Sequence, residues 1–228
     1  MKYLITIILL AFSNLLHANV YDLKVGASEE AIHALLKPKL VMKEKVVVNG
    51  KPGNLKVHTI DLKMRDCAEA LRDIVKRYDK SKVKHGAILI DIPKEDIVTR
   101  YYVFSAGDKY KTLCFQLDMP KTGLKENARD FWPKGLPEPR GAKINQVMVL
   151  SKRDTIYASF SSEAMSRQVY YEYSDQLKGI GWAEISSDKR NGAVYMNPKT
   201  KQLMIFNTLD NGKETHAGIY IYKIKKTP

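Results

Sequence analysis

Residues 40–79, LVMKEKVVVNGKPGNLKVHTIDLKMRDCAEALRDIVKRYD, decide the fold class. Residues 40–48 form a valine-rich, strand-like run. Asn49-Gly50-Lys51-Pro52-Gly53-Asn54 is a dense turn signal. Residues 55–62 alternate loosely as the returning strand, which makes a hairpin. The apolar period then changes from two to 3.6. Cys67, Leu71, Ile74, Val75 and Tyr78 fall on one stripe of a helix expected over residues 64–79. Lys76, Arg77 and Lys80, in or just past its last turn, suit the negative end of the helix dipole. Strand-like runs follow at 87–92, 97–104 and 112–117, with Pro93 and Gly107-Asp108 marking turns.

Upstream, residues 20–25 read as a short strand. Ser28 followed by Glu29 and Glu30 reads as a capped helix start. That helix is expected over 29–36, stopping before Pro38. Downstream, the same outline returns. Residues 143–150 and 155–160 are strands around the turn Ser151-Lys152-Arg153-Asp154. Ser161-Ser162-Glu163 opens a helix with the stripe Met165, Val169, Tyr173 and Leu177, and Gly179 closes it. Strands follow at 182–185, 193–196, 203–209 and 217–223, with Asn191-Gly192 and Asp210-Asn211-Gly212 as hairpin turns.

The chain therefore reads as α+β in two similar halves. Each is an antiparallel sheet with one main helix, ferredoxin-like in character, and the repeated outline points to an internal duplication. Offsetting the helices by 98 puts Cys67 on Met165, Leu71 on Val169 and Val75 on Tyr173. Offsetting the last strands by 92 puts Cys114 on Phe206 and Asp118 on Asp210. The expected boundaries are a first domain at 19–119 and a second at 140–228. Between them, 120–139 carries Pro120, Pro133, Pro137 and Pro139 and reads as a linker, with Phe131 and Trp132 docking it.

Residues 1–18 read as a secretory signal peptide. Lys2 precedes an apolar run from Leu4 to Phe12, and Ala18 offers a cut site. Ser13 and Asn14 end that run short of the ~20 residues a membrane span needs. The expected product is exported, periplasmic or secreted, with no transmembrane segment after cleavage. In such a compartment two cysteines read first as a disulfide, Cys67–Cys114, pinning a helix to its sheet; two buried thiols are the rival reading.

The 228-residue chain carries a net charge of +13. The expected partners are another envelope protein or anionic lipid or wall polymer; nucleic acid is argued against by the compartment. The lysines are scattered, as on a solvated surface.

No motif carries chemistry. His33, His58, His85 and His216 show no H-x-H or H-E-x-x-H spacing and read as surface or turn residues. There is no G-x-S-x-G, no phosphate-binding glycine loop and no carboxylate pair spaced for a cleft. The expectation is no catalytic residue, no metal and no cofactor. Tyr101-Tyr102 and Tyr170-Tyr171 are the densest aromatic groups and form the candidate binding surface. The expected function is an exported, non-catalytic binding or assembly module; a basic binder of anionic polymer and an enzyme with a dispersed site are the alternatives.

Leu136-Pro137-Glu138-Pro139-Arg140-Gly141-Ala142, Tyr157 to Ser162, Val169-Tyr170-Tyr171, Leu177 and Gly181-Trp182 give the second half a likeness. It resembles a small α+β domain of uncharacterised exported bacterial proteins. The resemblance covers that half alone and implies export without naming an activity.

Overall fold

The computed structural model describes residues 19–21, 28–75, 88–105, 112–122, 127–187, 191–210 and 214–223. The fold is α+β, and the expected signal peptide at 1–18 lies outside the described residues. The chain divides into two compact units, residues 1–45 with 51–124, and residues 46–50 with 125–228.

The first unit contains β1 (Asn19–Tyr21), α1 (Glu29–Leu36), β2 (Lys39–Val48), β3 (Lys51–Ile60), α2 (Met64–Leu71), β4 (Ile88–Pro93), β5 (Ile97–Ser105) and β6 (Thr112–Pro120). Their order is β1-β4-β5-β6-β3-β2. β4, β5, β6 and β3 pair antiparallel, and β1 lies parallel to β4. α1 forms where the sequence sets its cap: the Ser28 hydroxyl accepts from the Ala31 amide at 3.4 Å. Ile32 and Leu36, one turn apart, are its buried residues, and Lys37 closes it in the left-handed conformation.

α2 buries Cys67, Ala68 and Leu71 in a core shared with Ile60, Ile88, Ile90, Tyr101, Val103 and Cys114. It is shorter than the sequence predicts. Regular α-helix ends at Leu71, and residues 76–79 of the expected helix lie outside the described residues. The expected disulfide is not formed: Cys67 and Cys114 are both free and buried. Each fills an apolar position of the helix–sheet core as a small hydrophobe. Cys67 Sγ donates toward the Leu62 carbonyl at 3.9 Å. Burial pushes its thiol up to about 11 and raises that of Cys114 further.

The second unit contains β7 (Lys143–Leu150), β8 (Thr155–Ser162), α3 (Ser166–Gly179), β9 (Ala183–Ser187), β10 (Gly192–Asn197), β11 (Gln202–Asp210) and β12 (Thr215–Lys223). Their order is β7-β8-β12-β11-β10-β9. Val47 and Val48, at the end of β2, pair with Val149 and Met148 as part of this unit. Its core is aromatic. Phe160 and Phe206 stack at 6.5 Å, Tyr170 stacks on Phe206 at 6.2 Å, and Tyr173 tilts against Phe206 at 5.0 Å.

The proline-rich stretch expected as a linker is, from Asn127 onward, built into this core. Ala128 and Ala142 are buried in it, and Trp132 and Leu136 pack against it. The Trp132 indole and the Tyr173 hydroxyl both donate to the Pro137 carbonyl, at 3.2 and 3.1 Å. Phe131 lies against Gly50, where a Cβ would come within 2.2 Å of its ring; Gly50 also has φ +74°. α3 begins later than the capping serines suggest. Ser161 and Ser162 are held in β8 by pairing with His216 and Thr215, and Met165 is the N-cap.

The two units share one connectivity: a hairpin, one main helix, then an antiparallel meander whose last strand returns to the hairpin's second strand. This differs from the ferredoxin-like β-α-β-β-α-β arrangement. Strand ends fix the correspondence. β5 at Ile97–Ser105 matches β11 at Gln202–Asp210, and β6 at Thr112–Pro120 matches β12 at Thr215–Lys223. The helix N-caps, Lys63 and Met165, align likewise. Buried Cys67, Ala68, Leu71 and Val75 then fall on buried Val169, Tyr170, Tyr173 and Leu177. This corrects the expected offsets. Met165 is a 75% exposed cap rather than a stripe residue, and Cys114 corresponds to Ala217 rather than Phe206.

Candidate polar site beneath the first helix

The sheet face under α1 and α2 is half apolar and half polar. Three cross-strand rows build the polar half. Lys56 pairs with Gln116, which pairs with Tyr101; Asn54 pairs with Asp118, which pairs with Thr99; His58 pairs with Cys114, which pairs with Val103. Side chains two apart on a strand share a face, so Lys56 with His58, Thr99 with Tyr101, and Gln116 with Asp118 converge.

α1 lies over this half. Glu29 Oε1 accepts from Gln116 Nε2 at 2.9 Å, and Glu29 Oε2 is bonded to Lys94 Nζ. His33 Nε2 shares a hydrogen bond with the Tyr101 hydroxyl at 3.2 Å. Asp118 accepts from Thr99 Oγ1 at 2.9 Å and pairs with Lys56 Nζ at 3.3 Å. Burial raises the Glu29 pKa, but hydrogen bonds from Lys94 and Tyr101 outweigh it and leave it low. Burial and the Glu29 carboxylate push the Tyr101 phenol up.

His58 stands apart from this satisfied network. It is 5% exposed, and neither its ring nitrogens nor Gln116 Oε1 closes a hydrogen bond of ordinary geometry among the described residues, although Gln116 is near enough to draw the His58 pKa upward against burial. The His33 ring meets the His58 ring edge-on at 6.1 Å. Burial, then the neighbouring His33, lowers the His58 pKa, so the ring is neutral near pH 7.

The matching positions of the second unit are filled differently. Ala158, Ile219 and Phe206 form the row equivalent to Lys56, Gln116 and Tyr101. Ile156, Ile221 and Met204 replace Asn54, Asp118 and Thr99. Phe160, Ala217 and Thr208 replace His58, Cys114 and Val103. Where His33 meets His58, Trp132 meets Phe160 edge-on, also at 6.1 Å. The buried hydroxyls there satisfy each other, Ser166 with Thr208 at 2.7 Å and Ser174 with Tyr195.

Sequence reasoning missed this site because it sought short motifs. Its signal is a polar pair spaced by two on each of three strands. The expectation that His58 is a surface or turn residue is overturned, since it sits in the interior of β3 with its ring buried. His33 is half-buried on α1, and His216 pairs with Glu214 at 3.3 Å. His85 lies outside the described residues.

The four tyrosines do not form one surface. Tyr101 and Tyr170 are core residues. Tyr102 points to the opposite sheet face, beside Arg100, whose guanidinium forks onto Asp91 with two 2.7 Å bonds. Tyr171 is exposed, with Arg167 over its ring at 5.6 Å.

Chemically, the first unit offers a neutral imidazole, a low-pKa carboxylate and two protonated thiols, all beneath or beside a helix. Thiols raised by burial are poor nucleophiles at neutral pH. Among the described residues no group of three or more His, Cys, Asp or Glu is arranged to hold a metal, and no helix is long and apolar enough to cross a membrane. Comparison of the chain with protein-family models, curated proteins and solved structures finds no match.

Proposed function

We propose that the protein is an exported binding module of a bacterial cell envelope that acts without catalysis through protein–protein contacts. In this reading the second unit is scaffold and the first carries the specific contact. One observation supports it above others. The same fold position holds Lys56, His58, Thr99, Tyr101, Gln116 and Asp118 in one unit and apolar residues, Ala158, Phe160, Met204, Phe206, Ile219 and Ile221, at all six places in the other. The second unit shows that this connectivity packs with no polar set there, so the polar set serves something besides packing. The N-terminal apolar run supports export, and the shared connectivity and matched burial support descent of both units from one duplicated ancestor.

The test places a photo-crosslinking residue at Glu30 or Ala34, exposed on α1, and separately at Tyr171 on α3. A defined protein adduct from the α1 positions in intact cells is the expected result. No protein adduct from any position overturns the reading. The net charge of +13 favours a second reading, attachment to anionic lipid or wall polymer. That reading requires co-sedimentation with anionic vesicles or wall material that fades as salt is raised.

A further inference from the structure

α1 is a short helix held by a small apolar footing and a large polar one. Its buried residues are Ile32 and Leu36. Its other attachments are the Glu29 bonds to Gln116 and Lys94, the His33 bond to Tyr101, and the edge contact of His33 with His58. A helix of eight residues has little stability of its own and stays folded through its packing. What lies beneath it therefore decides whether it stays down.

We propose that α1 is an acid-released cover: protonation of His58 puts a buried cation against Lys56 and His33, detaches α1 and uncovers the polar strand face of the first unit. The groups facing His58 from each packed element bear this out. Lys56, on its own strand, is cationic. His33 meets it edge-on from α1. Gln116 from β6 is neutral, and its hydrogen-bonding draws the His58 pKa upward without reversing the lowering by burial and His33. Tyr101 from β5 and Cys114 from β6 stay protonated and neutral, as does Cys67 from α2.

The two carboxylates of the polar network are already engaged. Glu29 is bonded to Lys94 and Gln116, and Asp118 is bonded to Lys56 and Thr99. A proton on His58 thus arrives where no free anion awaits it and where burial excludes water. Because the folded ring has a lowered pKa, the stability due to its neutral form is complete above the ordinary value of 6.5. It is lost as the pH falls from there through the lower folded value. Acidification is then the releasing direction. The second unit supplies the control within the same chain, since the equivalent contact is Trp132 on Phe160, and neither ring titrates.

The experiment is hydrogen exchange by mass spectrometry on the full chain at about pH 7.5 and about pH 5.5, expressed as protection factors. The wild type should lose protection in residues 28–36 on acidification, by up to about tenfold, the most that one imidazole of ordinary value 6.5 can contribute over that span. Peptides from β5, β6 and α3 should keep theirs. The variant His58→Phe, which copies Phe160, should hold α1 protection constant. Equal loss of protection in that variant, or no loss in the wild type, overturns the proposal. Should His58→Phe fail to fold, NMR titration of the wild-type histidines decides. A His58 resonance titrating below 6.5 together with α1 opening supports the proposal, and a titration that leaves α1 protected sinks it.

Discussion

The two units of this chain use the same connectivity to reach opposite interiors. Beneath α3 the sheet presents Phe160, Phe206, Ile219 and Ile221, and the covering segment adds Trp132. Beneath α1 the corresponding strands present His58, Tyr101, Gln116 and Asp118, and the covering helix adds Glu29 and His33. An aromatic core is held by area removed from water and needs no particular protonation state. The polar one is held by groups that must each be matched, and it fails where one is not. Two nearly equal frameworks thus separate what folding requires from what this chain adds to it.

The most damaging change puts the odd residue of the first unit into the second. Phe160→His should cost about 3–5 kcal/mol, since it removes a buried ring and leaves an unpaired polar group. Thermal or urea unfolding measures it. A loss below about 1 kcal/mol would mean the second unit tolerates polarity as the first does. Next, Gly50→Ala should cost about 1–3 kcal/mol, because the left-handed backbone and the Phe131 ring both oppose a Cβ. Asp154, the positive-φ residue of the matching turn at φ 49°, replaced by Gly should change stability by at most about 1 kcal/mol.

Cys67→Val, which copies Val169, should stay within about 1.5 kcal/mol of wild type. Thiol counting on denatured, unreduced protein should return both cysteines free, as Cys67 and Cys114 are in the fold. The smallest effect is expected at the rim. Lys94→Met should cost no more than about 1 kcal/mol, diminishing with salt, because Lys94 is half exposed in its pair with Glu29. A larger, salt-independent loss would show that the pair belongs to the interior rather than the edge.

Much of the fold was legible because local signals agreed with it. The Ser28 cap with Glu29 and Glu30 set α1 at its observed ends, and the turn signal at 49–54 set the hairpin, although only Asn49 and Gly50 turn, both with positive φ, and residues 51–54 already belong to β3. Strands β7 and β5 began where their apolar runs began. What the sequence hid was register. Pairing His58 with Cys114 rests on contacts between residues 56 apart, which no local period encodes. Without register, Lys56 and His58 read as a loose alternation, and the helix offset slid by four residues, one turn, onto exposed Met165. Ser161 and Ser162 misled for a related reason. Their capping chemistry was overridden by the ladder with β12. The polar site shares this blind spot, since it exists only once three strands are laid side by side.

Residues 46–50 carry a last consequence. They belong by their contacts to the second unit, yet the ribosome makes them long before the rest of it. The Asn49 amide and side chain clasp both backbone groups of Val147, at 2.9 and 2.8 Å. A gene fragment opening at Lys125 would leave that clasp empty and strip the Phe131 ring of its glycine floor. Each unit has its own interior, but the second borrows its outermost stitch from the first half of the gene, and any truncation meant to isolate it must carry that stitch along.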